Sequence, residues 1–448
     1  MNRLSCTLSV LVFFASGLMS SGWASNEQME TSAEERDYHE LAPGIRLDGN
    51  LRLRGEMRDF RFDRTIPGHD DGFLLSRVRL NLGVEPKDWL KMFVEVQDSR
   101  IFFNDQIDET AVPNIFEDAL DLHQLFVDFK YSPNRTAFKL RIGRQKLSYG
   151  QQRLVGAFEW ANTARVFDAF KLSIGKEGEA WVDLFASRVV SVDPNNPNDW
   201  SSTGKRYADS DFYGAYYTNR KLIQHTQFEA YWLLRHEDTA GDEVHTLGSR
   251  FGWRHGVLDA EAEFMGQVGD FGEGIDQEAF ALHIGGGYTV EKWNRARFGI
   301  SYNFATGDDN PDDNKRKTFD NLYPTNHLHY GYMDLMSFRN MHNLEFTAQT
   351  TWQNVGLRLA YHWLWLAEED TDAWYDAGGR QIRNAATAGL NPDPSLGQEV
   401  DVKVTYGLWN GRVKLEGGYS HFFHGDYLED FNIGKDADFA YLMTVLKF

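Results

Sequence analysis

From residue 45 onward the chain is dominated by a period of two. Leu51, Leu53, Gly55 and Met57 alternate with Arg52, Arg54, Glu56 and Arg58. Val78, Leu80, Leu82 and Val84 alternate with Arg77, Arg79 and Asn81, and Phe138, Leu140 and Ile142 with Lys139, Arg141 and Gly143. Alternation of this kind predicts strands with one apolar and one polar face. Runs of it fall near 51–58, 74–84, 91–98, 122–130, 137–147, 168–174, 180–190, 211–218, 226–236, 244–254, 257–266, 279–289, 295–304, 342–352, 355–365, 399–407, 411–421 and 438–448. That makes eighteen. Each is near the length of about 9–11 residues that a tilted membrane strand needs.

The connections sharpen the reading. Longer polar stretches follow odd-numbered runs, as at 99–121, 148–167, 191–210, 305–341, 366–398 and 422–437. Tight turns follow even-numbered ones, as at Ser132-Pro133-Asn134, His255-Gly256, Gln353-Asn354 and Trp409-Asn410. A soluble sandwich has no reason to keep this order. A transmembrane antiparallel β-barrel does, with short periplasmic turns and long extracellular loops. The chain finishes as such a barrel does, in a strand ending at Phe448. The predicted fold is therefore all-β, a barrel of about eighteen strands over residues 45–448.

Residues 1–24 stand outside this pattern. Arg3 is followed by an apolar run over Leu8–Ala15, and Gly22-Trp23-Ala24 places small residues at a cleavage site, so the segment reads as a secretory signal peptide. The apolar run is too short to cross a bilayer as a helix. Residues 25–44 then read as a flexible acidic lead. The one Cys, Cys6, lies within the leader, so the mature chain carries no thiol, disulfide or Cys-built metal site. That lead is also too short for the folded plug domain of an energy-coupled receptor. The expected location is the outer membrane of a Gram-negative bacterium, with outer-membrane lipid as the surrounding partner.

Charge refines the function. Lys+Arg number 46 against 66 Asp+Glu, a net charge of −20, and no dense basic stretch points to nucleic acid. The mean hydropathy of −0.51 excludes a bundle of membrane helices and leaves a barrel open. On the polar face of the first five runs, however, Arg52, Arg54, Arg58, Arg77, Arg79, Lys91, Lys130, Lys139 and Arg141 face only Glu56, Glu95 and Asp128. If the apolar face meets lipid, these residues line the lumen. Guanidinium groups there suit an anionic solute, because Arg pairs with carboxylates in bidentate geometry. The competing reading is an interior lattice of ion pairs. Trp89, Tyr131, Trp181, Trp293 and Trp409 near strand ends fit an interfacial girdle.

Three stretches together resemble the alginate export family of outer-membrane barrels. The first runs from Arg141-Ile142-Gly143-Arg144-Gln145 through Arg153-Leu154-Val155-Gly156 to Trp160-Ala161-Asn162-Thr163-Ala164-Arg165-Val166-Phe167-Asp168. The second is Ala305-Thr306-Gly307-Asp308 with Thr318-Phe319-Asp320-Asn321-Leu322-Tyr323-Pro324 and His329-Tyr330-Gly331. The third is Gly397-Gln398-Glu399-Val400-Asp401 with Gly417-Gly418-Tyr419-Ser420 and Phe423-His424-Gly425. The resemblance implies an eighteen-stranded channel that passes an anionic polysaccharide outward through an Arg-rich constriction, with periplasmic export partners. Carried onto this sequence, it singles out Arg144, Arg153, Arg165 and Asp168 of the first motif, which would converge over the lumen if their loop folds inward. The solute class expected is an acidic polysaccharide or uronate oligomer, with a small organic anion as the alternative.

An outer-membrane hydrolase is the enzymatic alternative. His421 and His424 lie near Ser420, and His327, His329 and His342 flank one long connection, but no nucleophile signature surrounds any Ser. The carboxylates of Asp308, Asp309, Asp312 and Asp313 could hold Ca²⁺, yet the run lacks the twelve-residue loop pattern and reads rather as a solvated acidic loop. No cofactor is expected.

Overall fold

Alternating apolar and polar side chains close here into a barrel. The computed structural model describes residues 39–60, 69–105, 115–133, 136–193, 197–198, 210–237, 241–272 and 274–448. The signal peptide read over residues 1–24 lies outside the described residues. The eighteen wall strands are β1 Ile45–Asp59, β2 Asp70–Lys87, β3 Leu90–Phe102, β4 Asp118–Tyr131, β5 Ala137–Gln145 and β6 Phe167–Lys176. They continue as β7 Ala180–Val189, β8 Ser210–Asn219, β9 Thr226–Glu237, β10 Asp242–His255, β11 Leu258–Phe271 and β12 Asp276–Val290. The last six are β13 Ala296–Ala305, β14 Met341–Trp352, β15 Val355–Trp365, β16 Ser395–Leu408, β17 Val413–His424 and β18 Ala437–Lys447.

Each strand pairs antiparallel with the next, and β18 returns to β1 in a register running from Lys447 opposite Asn50 to Asp438 opposite Asp59. Closure leaves no free edge, which is the condition for a sheet to survive in lipid. Burial is inverted relative to a soluble protein. Arg52, Arg54, Glu56, Arg77 and Arg79 are buried inside, while Leu53, Met57, Val78, Leu80 and Leu82 are exposed outside. Charge in the interior and bare Leu and Val on the exterior make sense only if the exterior solvent is hydrocarbon.

Two details differ from the pattern-based expectation. Strands overrun the predicted lengths, β2 reaching 18 residues, because polar residues continue the alternation beyond the apolar band. The connections after β9 and β11 consequently shrink to residues 238–241 and 272–275 instead of long loops. The end of the lead is not loose coil either. His39–Ala42 forms a short strand folded back on the start of β1, with His39 opposite Leu47 and Ala42 opposite Ile45, because its backbone groups find partners there. Trp89, Tyr131, Trp293 and Trp409 stand exposed at the short-turn rim, as a girdle requires.

Candidate functional site

The connection after β5, residues 146–166, turns into the barrel rather than outward. Its Leu147, Leu154, Val155, Ala157, Ala161 and Val166 are buried, so the turn inward hides apolar surface. Four arginines of β1 and β2 receive its tip. Arg52 donates through Nη1 to the Glu159 carbonyl at 2.7 Å and through Nη2 to the Ala161 carbonyl at 3.0 Å and Asn162 Oδ1 at 3.1 Å. Arg54 donates to the Trp160 carbonyl at 2.6 Å and lies 3.7 Å over its indole. Arg77 and Arg79 reach the Glu159 carboxylate at 3.0 and 2.8 Å, and Lys146 pairs with it as well. Asn162 Nδ2 donates to the Ser76 and Phe116 carbonyls at 2.9 and 2.8 Å, locking the loop against the wall.

Charge accumulates where the loop docks. Among the described residues, Arg54, Arg58, Arg77, Arg79 and Lys146 gather around the carboxylates of Glu56, Glu95 and Glu159, with Arg52 beside them on the Glu159 carbonyl. Burial alone would raise the Glu159 pKa, but Arg79, Lys146 and Arg77 outweigh it and hold this carboxyl well below its ordinary range. The Trp160 indole is sandwiched, since His327 stacks on its other face at 3.8 Å and Tyr332 follows His327 at 5.1 Å. Lys403 of β16 lies 4.9 Å from the Tyr332 ring. A stack of cations and rings thus links β1 to β16, three strands away around the closed wall.

His327 and Tyr332 belong to a second inward connection, residues 306–340. Its backbone binds the first loop directly: Gly156 N–H donates to the Tyr323 carbonyl at 2.8 Å, Tyr323 N–H to Leu154 at 2.9 Å, and Thr325 N–H to Gln152 at 2.9 Å. Asp320 anchors it to the wall and to itself, accepting from Arg235 and Arg339 at 2.7 Å each. A third connection, residues 366–394, packs on the second. It carries the paired short strands Ala373–Tyr375 and Gln381–Asn384, and its buried Trp374 donates to the Leu335 carbonyl at 2.8 Å. Three loops therefore fill much of the barrel interior with one continuous apolar cluster.

The residues singled out from sequence are not brought to one place. Arg52, Arg54, Arg77 and Arg79 face inward and hold the loop tip. Arg141 also faces inward, in a bidentate pair with Asp128 at 2.6 and 2.8 Å and 3.7 Å from the Phe126 ring. Arg153 lies across the lumen on β11, bonded to Glu261 at 2.7 Å and Glu263 at 2.9 Å. Arg165 donates to the Gly156 and Pro324 carbonyls at 3.0 and 2.9 Å, tying the two loops together. Arg144 and Asp168 correct the expectation of convergence. Arg144 alternates with the lumen-facing Arg141 and Gln145, so it points outward, where it grips Asp168 at 2.9 Å and the Leu122 carbonyl at 3.2 Å. The period of two puts the pair on the opposite face of the wall from the constriction.

Two other candidates fall out of the geometry. Ser420 donates into the lumen to Asp401 at 2.5 Å, whereas His421 binds Asp438 at 2.8 Å on the other face, so the two form no dyad. In the acidic run, Lys317 pairs with Asp309 and Asp313, while Asp308 accepts from the Asn310 amide. Among the described residues no group of three or more potential ligands is placed to hold a metal. Sequence reasoning missed Lys146, Trp160, Asn162 and the Asp320 anchor. The family motifs contain all four and mark them by position, though not by partner.

The comparisons agree with this architecture. A family model described as alginate export matches residues 45–438. The chain belongs to the alginate export family. Among solved structures it is similar to Pseudomonas aeruginosa OpdK crystallised with vanillate, at 12% identity and a TM-score of 0.60, covering 91% of this chain and 99% of that one. Acinetobacter baumannii OccAB4 gives 12% identity and a TM-score of 0.60, covering 90% and 98%. Pseudomonas aeruginosa OccK8 (OprE) gives 13% and 0.59, covering 91% and 98%. No curated protein sequence matches the chain. This alginate export family member is an outer-membrane channel protein, not an enzyme.

Proposed function

We propose that the solute is a carboxylate-bearing carbohydrate, an acidic polysaccharide or a uronate oligomer. The observation that supports this most is the excess of cationic side chains where the first inward loop docks, five on three carboxylates and Arg52 beside them on the Glu159 carbonyl among the described residues. Most of these guanidinium groups are too buried to touch a solute. Their role in this reading is a positive potential, strong because the surroundings are poorly polarisable. Direct contact falls to the partly exposed side chains of Lys139, Arg141 and Lys171 on the neighbouring wall and of Lys146 at the start of the loop. Paired but partly exposed cations bind a passing carboxylate without trapping it, which conduction requires.

Small organic acids are the second reading, favoured by the packing of three loops across the lumen. A polymer needs those loops displaced, whereas a small acid does not. Planar-bilayer recordings separate the cases. The expected result is an anion-selective reversal potential with block by uronate oligomers and none by neutral oligomers of equal length. Block by monomeric acids alone would assign the small-acid role, and cation selectivity would overturn both.

A further inference from the structure

Of the five aromatic residues expected in the interfacial girdle, Trp181 alone faces the other way. It lies on β7 two residues before Asp183 and four before Phe185, both buried inside the barrel, and opposite the buried Thr218 of β8. The period of two therefore turns its indole to the lumen. Its place beside the 177–179 turn sets it at the short-turn mouth, and it takes no part in the apolar cluster that the inward loops bury. Among the described residues no other aromatic ring packs on the indole, and its Nε1–H donates to no protein group. On β6 the residue opposite is Gly175, followed by Ala137 on β5, so that flank carries no long side chain.

Arg220, from the next short turn, stands 5.6 Å over the Trp181 ring. Its Nε donates to Gln227 Oε1 at 2.9 Å, and among the described residues no carboxylate pairs with it. The lumen cations described above, by contrast, are each held by a carboxylate or a backbone carbonyl. One row further in, Lys139 faces Ser173 and Ser173 faces Asp183, roughly 7 Å along the wall from the Trp181 row. A pyranose has apolar C–H faces and a polar rim. An indole suits such a ligand, because it offers an apolar face and a single N–H at its edge. A uronate adds a carboxylate at the rim, which a guanidinium takes in bidentate geometry. A small acid without a sugar ring gains only from the cation.

We infer that Trp181 and Arg220 form a subsite for one uronate unit at the short-turn mouth. Trp181 takes the face of the sugar, Arg220 its carboxylate, and Lys139 receives the carboxylate of the next unit inward. The inference rests on the uronate reading above and gives it a sugar-specific contact. Planar bilayers holding the full-length barrel are titrated with a tetrameric uronate, and the half-blocking concentration is read. Trp181→Leu keeps an apolar side chain but no flat face and should raise that concentration about tenfold, the factor that about 1.4 kcal/mol sets. Trp181→Phe keeps a flat ring and should stay within about threefold of the parent. Arg220→Gln removes the charge and should also weaken block about tenfold. Heat-modifiable migration checks assembly, and Trp181→Met replaces the Leu variant if that one fails to assemble. Equal block in the Leu and Phe variants, or parental block in Arg220→Gln, overturns the subsite and leaves the uronate reading standing. A parent barrel that the tetramer does not block defeats the uronate reading itself, and the subsite with it.

Discussion

Glu159 carries an unusual share of the constriction, since Arg77, Arg79 and Lys146 all converge on its carboxylate. Glu159→Gln keeps the backbone contacts to Arg52 but removes the charge that three cations share. Anion selectivity should rise and the loop should loosen, seen as larger, noisier single-channel currents. The sign of the pH response follows from the depressed pKa. A carboxylate held below its ordinary value stabilises the fold above that value and loses its contribution only as pH falls through the lowered one. Loop docking should therefore be constant from neutral pH down to about 4, the ordinary carboxylate range, and conductance recorded across that span should be flat. Arg153 makes a harsher test. Its loss leaves Glu263 with only the Tyr231 hydroxyl at 2.9 Å, because Arg250 pairs with Glu229 and Glu261. Removing one member of such a buried set costs on the order of 3–5 kcal/mol. Arg153→Ala should release the first loop, raising conductance for ions of both signs and exposing the segment to protease.

Between elements, the contact that matters most is loop on loop. Gly156 sits where the first and second inward connections exchange backbone hydrogen bonds, and a Cβ there would stand 2.2 Å from Thr325 Oγ1. Gly156→Val should push the two loops apart without touching the wall. Conductance should increase several-fold while the barrel assembles normally, as judged by heat-modifiable gel migration. Gly143 gives the contrasting result. Its φ is +122° and a Cβ would lie 2.2 Å from the Leu125 carbonyl within the wall itself. Gly143→Val should lower the yield of assembled barrel and leave the conductance of surviving molecules nearly unchanged. The wall strands themselves are robust because each is held by backbone bonds on both sides, which no single side chain controls.

At the scale of the molecule, all eighteen wall strands were legible in the sequence, as was the long-and-short order of most connections. Both follow from local chemistry. A strand facing lipid on one side and a filled lumen on the other must alternate at every second residue, and the bilayer fixes its length. The inward direction of Arg52, Arg54, Arg77, Arg79 and Arg141 was fixed by the same parity. Parity also held the answer for Arg144, whose even place opposite Arg141 sends it outward to Asp168; the motif drew it toward the pore and the alternation did not. Partner choice was decided only by the tertiary structure. That Glu159 meets Arg77 and Arg79 across 82 and 80 residues of chain, that Arg153 crosses to β11, and that residues 306–340 bind the first loop all depend on how loops fold inside a closed wall. Loop side chains carry no period to read, and many inward paths satisfy the same composition. One of them is selected by fitting apolar surface, carbonyls and opposite charges together inside the barrel, a condition no local stretch of sequence contains.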